Sequence, residues 1–167
     1  MRFAHVRLVS LAALAFIVAP ADPQQPNASR PRPVPAPSES GPRLVPVAET
    51  KLLMEGLTQP NFQGLEKIFK SKEIDDESWS FARGQALLIA EAGNLLMLRP
   101  PRNSGESPWM KECGDLRDTA AELGKTIATR NIERCKAGLV QLAATCNRCH
   151  QSFQVKTRIS AFEPAKP

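Results

Sequence analysis

Apolar residues recur at alternating spacings of three and four through most of the chain beyond Pro46, and that period predicts a succession of amphipathic helices. The first spans about 47–57, with Leu53 and Leu57 on one face, and Phe62, Leu65 and Phe69 carry a stripe onward to about Lys72. Pro60 interrupts this stretch. It either kinks one helix or starts a second piece near its first position, with Thr58 or Gln59 as cap. A second helix follows the acidic cap Asp75, Asp76 and Glu77, carries Ala82, Ala86, Ile89, Gly93 and Leu96, and stops at Pro100 and Pro101. The third begins with Ser107 as N-cap and Pro108 at the first helical position, with Trp109, Cys113, Leu116, Ala120, Leu123 and Ile127 as its stripe. The fourth starts at Asn131 and carries the cleanest period: Ile132, Cys135, Leu139, Leu142, Cys146, Cys149 and Phe153. Stripes of this kind with short connections predict an all-α fold, an antiparallel up-down-up-down four-helix bundle over residues 47–160.

The first fifty residues are of a different character. Arg2 and Arg7 precede a 14-residue apolar run from Leu8, which ends in the small-residue pattern Ala19, Pro20, Ala21. That combination predicts a secretory leader over residues 1–21 with Asp22 as the new N-terminus, and hence an exported or periplasmic protein. The run is short for a bilayer, where about 20 apolar residues are needed. No later stretch is apolar for long enough, so no stable membrane span is expected once the leader is removed. Residues 22–46 are rich in proline, with Gln, Ser, Asn and Arg between, and cannot bury enough apolar surface to offset chain ordering. They are expected to form an extended, disordered linker.

The calculated pI of 9.3 overstates the basicity of the working chain. Without Arg2 and Arg7, 20 basic residues face 17 acidic ones. Basic clusters with interleaved aromatics do not occur, which argues against a nucleic-acid partner.

The chemistry concentrates at residues 146–150, Cys-Asn-Arg-Cys-His. A C-x-x-C-H segment is a signature of c-type haem attachment. Two thiols one helical turn apart can reach both vinyl groups on one haem edge, and the adjacent histidine then offers its imidazole to the iron from the same side. Cys146 and Cys149 would hold haem c covalently, one per chain, with His150 as proximal iron ligand. Other uses of the pair fit less well. A thioredoxin-like redox pair sits near a βαβ pattern. A zinc site needs about four ligands, and the mature chain offers a single CxxC, a single His and two distant cysteines. With the third and fourth helices turning near Arg130, Cys113 and Cys135 are offset by about 18 Å along the bundle axis, whereas a disulfide needs Cα atoms within about 7 Å. Both are expected as small buried core residues.

The segment Cys146, Cys149, His150 and Phe153 resembles the C-x-x-C-H-x-x-[FY] motif of the class II cytochromes c, the cytochrome c′ family and its low-spin, Met-ligated relatives. The resemblance extends in architecture over the bundle and implies haem near the end of the last helix, with the sixth iron position facing the first. There an apolar residue leaves the iron five-coordinate or a methionine ligates it. The family often carries Arg or Lys directly after the aromatic; here Gln154 stands there, with Lys156 two positions on. In the predicted bundle, Met54, Met97 and Met110 all lie toward the haem end. The resemblance prefers Met54 as the candidate sixth ligand, although a methionine on an apolar stripe is also ordinary core filling. His5 leaves with the leader, so no second histidine remains to ligate. Trp109 and Met110, across the hairpin from His150, are expected to wall the haem pocket.

The function expected is periplasmic electron transfer with an unidentified redox partner protein. The alternative is a five-coordinate protein that binds nitric oxide or carbon monoxide. A third is a helical module without haem, whose CxxC is redox-sensitive or structural. No acid–base or nucleophile constellation accompanies the motif, so no enzyme activity is expected. Bundles of the family often pair as homodimers.

Overall fold

The computed structural model describes residues 42–102 and 105–162. The expected leader over 1–21 and the expected linker as far as residue 41 lie outside the described residues. The linker's described end, residues 42–46, is exposed and without regular structure, and so are residues 47–49, so the first helix begins at Thr50 and not at about 47. All regular structure among the described residues is helical: α1 (Thr50–Leu53), a π-helical turn (Met54–Thr58), α2 (Gln59–Lys70), α3 (Asp76–Met97), α4 (Glu106–Ala128) and α5 (Ile132–Ser152).

The first three of these join without a break, because Met54, Thr58 and Gln59 all keep right-handed helical dihedrals. Pro60 therefore neither starts a capped second helix nor needs Thr58 or Gln59 as a cap. In α geometry its ring would collide with the carbonyl of Gly56, and it has no N–H to donate there. The π turn just upstream accommodates it: the Gln59 N–H reaches back five residues to the Met54 carbonyl. The Asn61 side chain donates to the Leu57 carbonyl at 2.6 Å, satisfying an acceptor next to the disturbed turn. Thr58 is buried, and its hydroxyl has no hydrogen-bond partner among the described residues.

Asp75 caps α3, its carboxylate accepting from the Ser78 N–H at 2.7 Å, and this bond holds the carboxyl below its usual range. Asp76 and Glu77 then place negative charge in the first turn, where the helix dipole favours it. Asn131 caps α5 in the same way through the Arg134 N–H. The start of α4 differs from expectation. Its N-cap is Gly105 at φ 78°, a backbone state that glycine adopts freely, so the helix begins at Glu106. Ser107 and Pro108 then lie inside the first turn, where the missing proline N–H costs no intrahelical bond.

α3 packs against α4, α4 against α5, and α2 against α3 and, more lightly, α5; the π turn rests on α3. The predicted stripes are the faces that meet. Leu65, Phe69, Ile89, Leu123, Ile127, Leu139 and Leu142 are fully buried, and so are Cys113 and Cys135, both free thiols as expected. Packed residues continue past the predicted end of the domain at 160, through Ala161 and Phe162.

Gly93 sets how closely α3 and α4 approach. A Cβ there would stand 2.8 Å from the Cys113 carbonyl oxygen and 2.9 Å from the Arg117 nitrogen, and backbone atoms cannot swing aside. Gly93→Ala is expected to force the helices apart and cost about 1–3 kcal/mol, read as a lower urea midpoint. An unchanged midpoint would mean that this contact is looser than it looks.

Candidate functional site

The motif occupies the last two turns of α5. Cys146 and Cys149, three residues apart, share one face of the helix and are both half-buried. Burial, followed by the neighbouring Cys149, pushes the Cys146 thiol up to about 12. Burial, with a further contribution from Glu112, pushes Cys149 up to about 11 against the opposing pull of Arg148. Both thiols are thus neutral at physiological pH.

The end of α5 is built as a reversal. Gln154 adopts φ 57°, the left-handed state of a helix C-terminal turn. The Val155 N–H bonds the His150 carbonyl at 2.7 Å and the Gln154 N–H bonds the Gln151 carbonyl at 3.3 Å, the paired bonds of a Schellman closure. The chain then runs back along α5. As it passes, the Thr157 carbonyl oxygen lies 2.8 Å from His150 Nδ1. A carbonyl only accepts, so Nδ1 must carry the proton of this bond, and Nε2 is the ring nitrogen left to offer a lone pair. Two neutral thiols on one helix face, with a histidine beside them whose Nε2 is free to coordinate, are a donor set that fits covalent haem.

The two variable positions of the motif are engaged as well. Asn147 holds both backbone groups of Ile159: its Nδ2 donates to the carbonyl at 2.6 Å, and its Oδ1 accepts from the N–H at 2.8 Å. Arg148 spans to α4, where it meets the buried Glu112 at 3.2 Å and Asp115 at 2.8 Å. The Lys111 ammonium, and after it the Arg148 guanidinium, hold the Asp115 carboxyl below its usual range.

Of the residues singled out from sequence, Trp109 and Phe153 meet, their rings edge to face with centroids 5.0 Å apart. Trp109 is buried and its Nε1 donates to the Leu96 carbonyl at 2.7 Å, tying the start of α4 to the end of α3. Met110 turns outward and is 38% exposed, so it lines no part of the core beside its neighbour. Met97 is partly buried and lies over Gly114. Met54 is partly buried against the core, but the π turn carrying it packs on α3, whereas the neighbours of α5 are α4 and α2.

Cys113 is the residue whose place sequence reasoning missed. Beyond ordinary core burial, it lies close enough to Cys149 for the two to interact: burial, and then the neighbouring Cys149 and Glu112, push its thiol up to about 12. Asn147, Thr157 and Ile159 were also not anticipated. The available signal that the tail packs was slight: the apolar residues Ile159, Ala161 and Phe162 beyond α5 rest on the core, whereas Val155 and Thr157 are exposed.

No protein-family model, curated protein or solved structure matches this chain.

Proposed function

We propose that this chain is an exported c-type cytochrome that carries one haem through Cys146 and Cys149, with His150 Nε2 as an iron ligand, and that it transfers electrons to a protein partner. The observation that carries this is the His150 Nδ1 bond to the Thr157 carbonyl. It leaves Nε2 as the free donor, one residue beyond a pair of reduced thiols on the same helix. Ligating histidines characteristically donate their other ring N–H to an oxygen in this way. Attachment is redox-neutral. Each thiol adds across a vinyl double bond, sulfur bonding to one carbon and the proton going to the other. The bound haem supplies one-electron exchange at iron, while the chain retains it, orients it and excludes water.

The architecture we propose is the antiparallel up-down-up-down bundle of the class II cytochromes c, with haem near the end of α5. Three contacts support it. Trp109 at the start of α4 meets Leu96 at the end of α3, Arg130 past the end of α4 meets Asp76 at the start of α3, and Trp109 also meets Phe153 at the end of α5. Export rests on the leader pattern over residues 1–21 and on thioether chemistry.

Met54 remains the proposed sixth ligand for the electron carrier. One observation favours the gas-binding alternative with five-coordinate iron: the turn bearing Met54 has α3 rather than α5 as its neighbour. An absorption spectrum of the exported protein, oxidised, reduced, and reduced under carbon monoxide, separates the two. A low-spin spectrum indifferent to carbon monoxide is expected for a Met-ligated electron carrier. A high-spin spectrum that shifts under carbon monoxide would move the assignment to gas binding. Protein without haem bands, made with haem-attachment machinery present, would overturn both.

A further inference from the structure

Between the Schellman closure and Phe162 the chain has no regular structure, yet it is fixed at four points. Val155 N–H bonds the His150 carbonyl, and Ile159 is gripped through both backbone groups by Asn147. Arg158 Nη1 reaches the Asn147 carbonyl at 3.4 Å, and the Phe162 N–H donates to Glu66 Oε1 on α2 at 2.7 Å. Ile159, Ala161 and Phe162 also pack onto the core. Thr157 lies midway between the first two anchors, two residues from each. Its carbonyl is therefore placed by the anchors and not by its own side chain. The return fits the geometry of the two segments. Three helical residues, 147 to 150, advance about 4.5 Å along the axis; two extended residues, 157 to 159, cover a somewhat greater length at about 3.3 Å each.

We propose that residues 155–162 act as an orienting strap for the iron ligand, and that Asn147 is the positioning residue that holds the Thr157 carbonyl against His150 Nδ1. This rests on the haem assignment of the preceding section for its redox consequence, but its structural half stands without haem. Asn147 is the first variable position of the C-x-x-C-H segment, so the motif carries its own clamp for the second shell of its histidine. The side-chain amide suits the task because it offers one donor and one acceptor, matching the N–H and C=O of a single residue. A strap held this way fixes the ring's rotation and keeps its proton on Nδ1. Donation from Nδ1 to a carbonyl makes Nε2 more basic, which favours the oxidised iron and lowers the potential.

The test uses the full chain in two forms, with and without haem. In the haem-free protein, labelled with ¹⁵N, His150 at neutral pH is expected as the Nδ1–H tautomer, opposite to the preference of a free histidine side chain. In Asn147→Ala that tautomer should give way to a mixture. In the haem-loaded protein, Asn147→Ala should shift the midpoint potential upward at unchanged haem content. Asn147→Asp retains the acceptor for the Ile159 N–H but loses the donor to its carbonyl; because its charge would itself move the potential, it is read on the tautomer, where a smaller change than in Asn147→Ala is expected. A purely structural role for Asn147 would lower the melting temperature and leave tautomer and potential where they were, and that result overturns the proposal. If Asn147→Ala does not fold, the unaltered haem-free chain decides, because an Nε2–H tautomer there is incompatible with the strap. Failure to attach haem would instead remove the cytochrome assignment, with the tautomer still judging the strap.

Discussion

Replacing Cys146 and Cys149 together with serine is expected to reduce covalently bound haem to background. A serine hydroxyl does not add across a vinyl group under the conditions in which a thiol does, and a single imidazole bond from His150 would not survive denaturation. The measurement is haem peroxidase staining of a denaturing gel, with a pyridine haemochrome spectrum for quantity. Each single variant should keep one thioether and still stain, with the haem band displaced because one vinyl group remains unsaturated. Cys113→Ser is the informative companion. Cys113 is buried beside Cys149 and is the nearest competitor for the same chemistry. If the motif alone attaches haem, Cys113→Ser stains as strongly as the unaltered protein. A double variant that still holds covalent haem would show that Cys113 can substitute, and would sink the assignment of both attachment points. Serine at half-buried positions costs about 1–3 kcal/mol where its hydroxyl finds no partner, so helical circular dichroism must accompany the stain. Folded protein that does not stain on the denaturing gel is the expected result.

The helical stripes could be read from the sequence because burial follows the helical period directly. Ile89, Leu123, Leu139 and Leu142 are core residues for no reason beyond their spacing and apolarity. Caps such as Asp75 and Asn131 were equally legible, since a short acceptor side chain before an apolar run has one common use. The π turn was not, because a proline's clash can be relieved by a kink, a break or a bulge, and neighbouring packing chooses among them. Gly105 displaced the expected start of α4 for a related reason: what matters there is a positive φ, which composition suggests but does not locate. The C-x-x-C-H segment itself was plain. What surrounds it was less so. The partner of His150 is a backbone carbonyl, and every residue has one, so nothing in the identity of Thr157 marks it. Asn147 and Arg148 occupy positions that the motif leaves free. Cys113 was within reach of sequence reasoning. It precedes Arg130 by nearly the same number of residues as Cys149 follows it, and the hairpin register that separated Cys113 from Cys135 pairs it with Cys149. The same register pairs Glu112 with Arg148 and Trp109 with Phe153.

Trp109→Ala is expected to be the most damaging single change in the helical core, at about 3–5 kcal/mol. The indole is buried, and its removal opens a cavity where α3, α4 and the end of α5 converge. The edge-to-face contact with Phe153 adds about 0.5–1.5 kcal/mol beyond the area buried. The polar part matters less. Leu96 belongs to the last turn of α3, where carbonyls lack helical partners, and its oxygen accepts from the Arg99 N–H at 2.8 Å as well as from Trp109. Trp109→Phe therefore keeps most of the packing, leaves the carbonyl with one bond, and should cost about 1 kcal/mol. Urea denaturation of both variants separates the two contributions. If Trp109→Phe proves as costly as Trp109→Ala, the hydrogen bond rather than the ring is what joins α3 to α4. If Trp109→Ala costs under about 1 kcal/mol, the site can collapse around the loss, and the close packing of Trp109 on Phe153 is not needed to hold the end of α5. The expected large difference matters for the site because Phe153 caps the helix three residues beyond His150. A loosened Phe153 would free the chain reversal at Gln154, and with it the first anchor of the strap that holds the imidazole.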